Sequence, residues 1–196
     1  MHDSQAEHAL SWIRLIDPTV KMDSEMVHDL VSDWKPLSLK SISTGVLSMG
    51  RQLDRMDRAM KLIADTELRL KNLREEIGIS RKAPPDRLPR VSCLCFESDG
   101  WISQGRWLPD ILDRAAAFDP FHASTQEDVP LNEQKFASGR LDHAIILGET
   151  DSHIWPFPQA QTHRIRFASN WLSSSPDVFE AIFEAASLIH DRPDLF

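Results

Sequence analysis

Three stretches of helical periodicity fill the first half of the chain. Ala6, Leu10, Ile13 and the Leu15–Ile16 pair form an apolar stripe between a cap at Asp3 or Ser4 and the stop at Pro18. A second helix is predicted from Asp23 or Ser24 to Trp34, where Pro36 ends it. The third pattern is the strongest. Ile42, Met49, Met56, Ile63, Leu70 and Ile77 recur at a strict spacing of seven, with Val46, Leu53 and Met60 interleaved. This is a heptad seam, and Gly78 is its natural stop. A continuous helix over 42–77 would run about 54 Å at 1.5 Å per residue. Asp54–Arg58, Asp57–Lys61, Asp65–Arg69 and Glu67–Lys71 each place an acid four residues before a base, the orientation that supports a helix. The seam needs a surface. Either the first two helices fold back on it as an antiparallel bundle, or a second chain forms a coiled coil with it.

The stretch RKAPPDRLP (81–89) blocks helix continuation, and a β-rich pattern follows. Residues 91–98 alternate, Asp99–Gly100 is a hairpin turn signal, and Trp101–Ser103 returns antiparallel. Residues 108–118 read as a short helix and 119–137 as a long polar loop. His143–Gly148 is a buried-strand candidate, and 152–157 and 162–169 are further strands joined as a hairpin. Ser175 and Pro176 open a final helix with Val178, Phe179, Ile182, Phe183, Ala186 and Ile189 on its apolar face. The expected fold class is α+β. An N-terminal antiparallel helical bundle with one long heptad-patterned helix precedes a small, mainly antiparallel sheet covered by helices. The expected organisation is a helical region over 1–83, a Pro-rich linker over 84–90 and an acidic α+β domain over 91–196.

Charge sharpens this division. The 196 residues carry a formal charge of −8. Residues 1–83 hold 13 acidic and 13 basic side chains, whereas 84–196 hold 17 acidic and 9 basic ones. The acidic half is therefore not expected to bind nucleic-acid phosphates directly. No G-x-G-x-x-G or G-x-x-x-x-G-K-[ST] occurs, so the usual phosphate cradles are missing. Two cysteines, no apolar run of membrane length and no basic-then-apolar leader point to a cytoplasmic protein with no membrane segment.

Candidate chemistry is sparse. Cys93 and Cys95 read as strand packing. His2 and His8 read as solvated. Asp142, His143, Glu149 and Asp151 gather around a predicted strand, with His153 and His163 as metal-ligand candidates facing each other across the expected hairpin. Nothing fixes their spacing, and H-E-x-x-H is absent. The reading that follows is a non-catalytic macromolecule-binding protein of inhibitor, immunity or adaptor type, with no cofactor. Glu127, Asp128, Glu133, Trp155 and Phe157 would engage a basic protein partner, such as a nucleic-acid-binding enzyme. One alternative is a metal-assisted, nuclease-like hydrolase using the 142–163 cluster. The other is a coiled-coil subunit that forms a homodimer or hetero-assembly through the heptad helix.

Overall fold

The computed structural model describes residues 2–22, 24–31, 34, 36–79, 83–97, 100–122, 127–148, 157–165 and 169–195. The first two helices, α1 (His2–Ile16) and α2 (Ser24–Val31), lead into the heptad seam. The seam is helical, but it is two helices rather than one: α3 (Leu39–Gln52) and α4 (Met56–Ile77). Leu53 closes α3, and Asp54 takes a left-handed backbone with φ 53°. The Arg55 amide then donates to Gly50 O at 2.7 Å. Gly50 lies tight against α4, because a Cβ there would fall 2.4 Å from Ala59 Cβ.

A buried carboxylate fixes this break. Asp17, 2% exposed, follows α1. Its Oδ1 accepts from the Thr19 amide at 3.0 Å and the Thr19 hydroxyl at 2.6 Å, and its Oδ2 accepts from Arg55 Nε at 2.7 Å. The Thr19 bonds first, and then Arg55, hold the Asp17 carboxyl down at about 2. A seven-residue repeat counts apolar positions and is blind to such a polar anchor. The predicted coiled coil is therefore corrected. Ile42, Met49 and Leu70 are buried within the chain, and Met56, Ile63 and Ile77 are partly buried. The acid–base pairs differ too. Glu67 binds Arg114 at 2.8 Å and Arg69 binds Glu180 at 2.9 Å, tying α4 to the second half of the chain.

The sheet has five strands in the order β3-β2-β1-β4-β5. β1 (Val91–Glu97) pairs antiparallel with β2 (Gly100–Ser103), and β2 with β3 (Val129–Pro130). β4 (His143–Leu147) lies parallel to β1, and β5 (Gln161–Ile165) lies parallel to β4. The expected mainly antiparallel sheet is thus corrected to a mixed one. The expected 152–157 strand falls mostly outside the described residues. The connection over 148–160 is long enough for the crossover that parallel neighbours need.

Parallel strands bury both faces. One face presents Val91, Cys93, Ile145 and Leu147 to α5 (Leu108–Arg114) and α8 (Glu180–His190), and this core continues into α1, α3 and α4. Helices and sheet therefore share one core, which corrects the expectation of a separate N-terminal bundle. The other face packs Leu94, Trp101, Ala144 and Ile146 against Leu131, Leu141 and Phe157, beside α6 (Glu133–Ser138). On this face Ser92, Ser103, Asp119 and His122 form a buried hydrogen-bonded group, with the Ser hydroxyls 2.6 Å apart and His122 Nδ1 3.1 Å from Asp119 Oδ2.

Two outcomes test this account. Gly50→Ala is expected to lower stability by about 1–3 kcal/mol through overpacking against Ala59, measured by urea denaturation; an unchanged midpoint would contradict the close α3–α4 crossing. Because the Asp17 pKa is depressed on folding, its contribution is present above about pH 4 and is lost as pH falls through about 2. Asp17→Asn is expected to destabilise the protein at pH 7 and to flatten the loss of denaturation midpoint between these pH values.

Candidate functional site

Connections leave the parallel strands in opposite directions. β1 leads to β2 on one side, while β4 leads to β5 on the other. In open α/β sheets a crevice forms outside the carboxyl ends of strands at such a switch point. Here that point lies between the end of β1 at Glu97 and the end of β4 at Leu147, where Gly148 turns with φ 86°. On the hairpin side, Phe96 is 42% exposed and meets Trp101 edge-on, with centroids 5.4 Å apart. Cys95 takes a bond from Gln104 Nε2 at 2.8 Å, and burial raises its thiol to about 11, so it is no nucleophile at neutral pH.

A cleft of about 400 Å³ belongs to the same end of the sheet. Its walls come from α1 (Glu7, His8, Ser11) and from the segment after β5 (Asn170, Leu172, Ser173, Ser175, Asp177). That segment lies at the carboxyl end because α8 runs back along the sheet. The far end of α8, His190, donates its Nε2–H to Ala115 O at 2.9 Å and sits near His143 at the start of β4.

Indole donors fix the segment. Trp12 Nε1 donates to Ser174 O at 2.7 Å, and Trp107 Nε1 to Trp171 O at 2.8 Å. Trp171 Nε1 donates in turn to Glu184 Oε2 at 2.7 Å. The wall is thus preorganised by buried, satisfied polar contacts. His8 Nδ1 lies 3.3 Å from Ser174 Oγ, and burial lowers its pKa against the opposing effect of Glu7 and Asp177. The cleft therefore offers a neutral imidazole, hydroxyls, a carboxylate and the exposed Leu172. This set suits binding of a small molecule.

The residues nominated from sequence divide into three groups. Glu149, Asp151, His153 and Trp155 lie outside the described residues. Asp142 and His143 lie at the opposite, amino end. Asp142 Oδ2 accepts from the Arg90 amide at 2.9 Å, a structural bond. The expected His153–His163 encounter lies outside the described residues; parallel pairing brings His163 to His143, with Nδ1 of His143 3.1 Å from Nε2 of His163 and the ring planes 16° apart. Among the described residues no group of three or more His, Cys, Asp or Glu can hold a metal ion.

The partner surface is corrected as well. Phe157 is 3% exposed and packs on Phe121 and Phe136. Asp128 accepts the Gly105 amide at 2.8 Å, and Glu133 stands in the first turn of α6. Glu127 is exposed nearby. The cleft residues were missed because His8 looked like a solvated terminal residue. The run Ser173–Ser175 before Pro176 was read only as a helix cap.

No protein-family model matches the chain, and neither does any curated protein. Solved structures do. An ABC transporter substrate-binding protein from Listeria monocytogenes EGD-e superposes with a TM-score of 0.67 at 15% identity, over 86% of this chain and 75% of that one. The fold is periplasmic-binding-protein-like. S. aureus IsdE complexed with heme gives a TM-score of 0.64 at 13% identity, over 80% of this chain and 66% of that one. The periplasmic vitamin B12 binding protein BtuF of Vibrio cholerae gives 0.58 at 12%, over 81% and 65%. The chain thus spans about two thirds of the length of these last two.

This likeness overturns the expected bundle-plus-sheet fold class. It also overturns the inhibitor, immunity or adaptor reading, the basic protein partner and the heptad homodimer, since the proteins sharing this architecture are named for small ligands. Among the described residues no helix is long and apolar enough to cross a membrane.

Burial lowers the pKa of both His143 and His163. NMR titration is expected to find both rings more than half neutral at pH 6.5. Since folding favours the neutral forms, stability is expected to fall as pH drops below about 6.5. Largely protonated rings at pH 6.5 would contradict this geometry.

Proposed function

We propose that the chain is a solute-binding module whose ligand sits at the carboxyl edge of the sheet. The observation that carries this reading is the cleft between α1 and residues 170–177, the segment that follows β5 at the carboxyl end of the parallel strands, walled by fixed polar groups. The names of the similar structures support the same reading: they bind transporter substrates, heme or vitamin B12. His8, Ser11 and Asp177 are the proposed polar contacts, and Phe96 with Leu172 the apolar ones. Glu149, Asp151, His153 and Trp155, which follow β4 in sequence and lie outside the described residues, are proposed contributors on their residue types alone. The organisation we propose keeps the compositional division: a helical 1–83, a connection over 84–90, and an acidic 91–196 that carries the sheet edge. Free Cys93 and Cys95 support a reducing, cytoplasmic compartment, while the likeness to the periplasmic vitamin B12 binding protein of Vibrio cholerae supports the periplasm. Fractionation of the native protein decides between them.

Tryptophan fluorescence and visible absorbance, recorded while hemin or cyanocobalamin is titrated into the purified chain, test the reading. Saturable one-to-one binding of at least one is expected, with about tenfold weaker affinity in His8→Ala or Phe96→Ala. No saturable binding of either, or equal affinity in both variants, would contradict it.

A further inference from the structure

The amino end of the sheet carries a second cleft, also of about 400 Å³, far in topology from the switch point. Its polar walls are Arg90, just before β1, and Lys135 and Ser138 of α6. Its apolar walls are Pro120, Phe121 and Val129. Gly139 closes one side. A Cβ there would fall 2.6 Å from the Phe121 ring, so the glycine lets that ring lie against the backbone.

The two cations are the informative feature. Arg90 Nε donates to Arg140 O at 2.7 Å, and Lys135 Nζ donates to Pro130 O at 2.9 Å. Neither cation has a carboxylate within salt-bridge distance among the described residues, although this half of the chain holds 17 acidic against 9 basic side chains. Asp86 and Glu133, the acids nearest in sequence to Arg90 and Lys135, form no salt bridge with them among the described residues, and Asp142 is engaged elsewhere: its Oδ2 takes the Arg90 amide, and its Oδ1 faces Arg140 at 3.9 Å. The two backbone bonds hold both side chains in place and leave the terminal amino groups of Arg90 and two protons of Lys135 without protein acceptors among the described residues. A fixed guanidinium fork beside an ammonium matches a carboxylate, and the adjoining Phe121, Val129 and Pro120 match an apolar body.

We propose that this cleft binds a small organic anion, with its carboxylate on Arg90 and Lys135 and its apolar body against Phe121 and Val129. It is a site separate from the carboxyl-edge cleft and does not depend on it.

Benzoate, benzyl alcohol and inorganic phosphate, each titrated into the ¹⁵N-labelled full chain by NMR, test the proposal. Benzoate is expected to saturate, with shifts at residues 119–121, 129 and 135–140. Benzyl alcohol, without the charge, and phosphate, without the apolar body, are expected to bind at least about tenfold more weakly. Arg90→Gln and Lys135→Gln are each expected to weaken benzoate about tenfold. Ser138→Phe, on the exposed rim, is expected to block it while leaving both cations and the fold intact. Benzoate without saturable shifts would overturn the proposal. So would shifts confined to residues 95–104 and 170–177, equal binding of benzyl alcohol or phosphate, or variants that bind unchanged. Loss of benzoate binding leaves the hemin and cyanocobalamin titrations unaffected, so the two readings fail separately.

Discussion

Parallel pairing of β1, β4 and β5 is the constraint from which the remaining architecture follows. Such strands must be covered on both faces. Val91, Cys93, Ile145 and Leu147 therefore draw α5 and α8 onto one side, while Leu94, Ala144 and Ile146 recruit Leu131, Leu141, Phe157 and Trp101 onto the other. Because α8 returns along the sheet, the residues before it must stand at the carboxyl end. There they meet α1, held by Trp12 on Ser174 O. The same pairing that builds the core thus creates the polar-walled cleft outside it.

The helical layer is subordinate to this arrangement. Its seam residues pack within the chain, chiefly among α1, α3 and α4, in a core continuous with α5 and α8, and its surface charges reach across to the second half. Glu67 with Arg114, and Arg69 with Glu180, replace the local i,i+4 pairs that the spacing suggests. Each exposed pair contributes modestly, about 0.2–1 kcal/mol. Their value is orientational, since α4 is registered against α5 and the start of α8 at two separate points.

The places of α1, α2, α5 and α8 and the β1–β2 turn were legible in the sequence, because each rests on local chemistry such as Pro18, Pro36, Gly100, Ser175 and Pro176, whereas the loop expected over 119–137 holds β3 and most of α6. What was not legible depends on contacts distant along the chain. The heptad spacing of Ile42 to Ile77 continues smoothly through residues 53–55, yet Asp17 captures Arg55 and the helix breaks. Strand direction for β4 and β5 was equally hidden. His143–Leu147 and Gln161–Ile165 have the same pattern whether they run parallel or antiparallel, and the choice moves His163 onto His143. The acidic-histidine loop over 149–155 drew notice for its residue types. That run lies outside the described residues, whereas His8, Ser173 and Asp177 carried no motif and became visible only when α1 met the segment after β5.

Shared architecture with substrate-, heme- and vitamin B12-binding proteins shows a fold, and function rests on the cleft itself. The most direct test of that claim is where a bound solute perturbs the chain. Amide shifts of the full protein, mapped as hemin is added, are predicted to cluster at residues 7–11, 95–104, 147–148 and 170–177. Shifts centred on the exposed side of α4, or an unperturbed carboxyl edge at saturating hemin, would contradict the account.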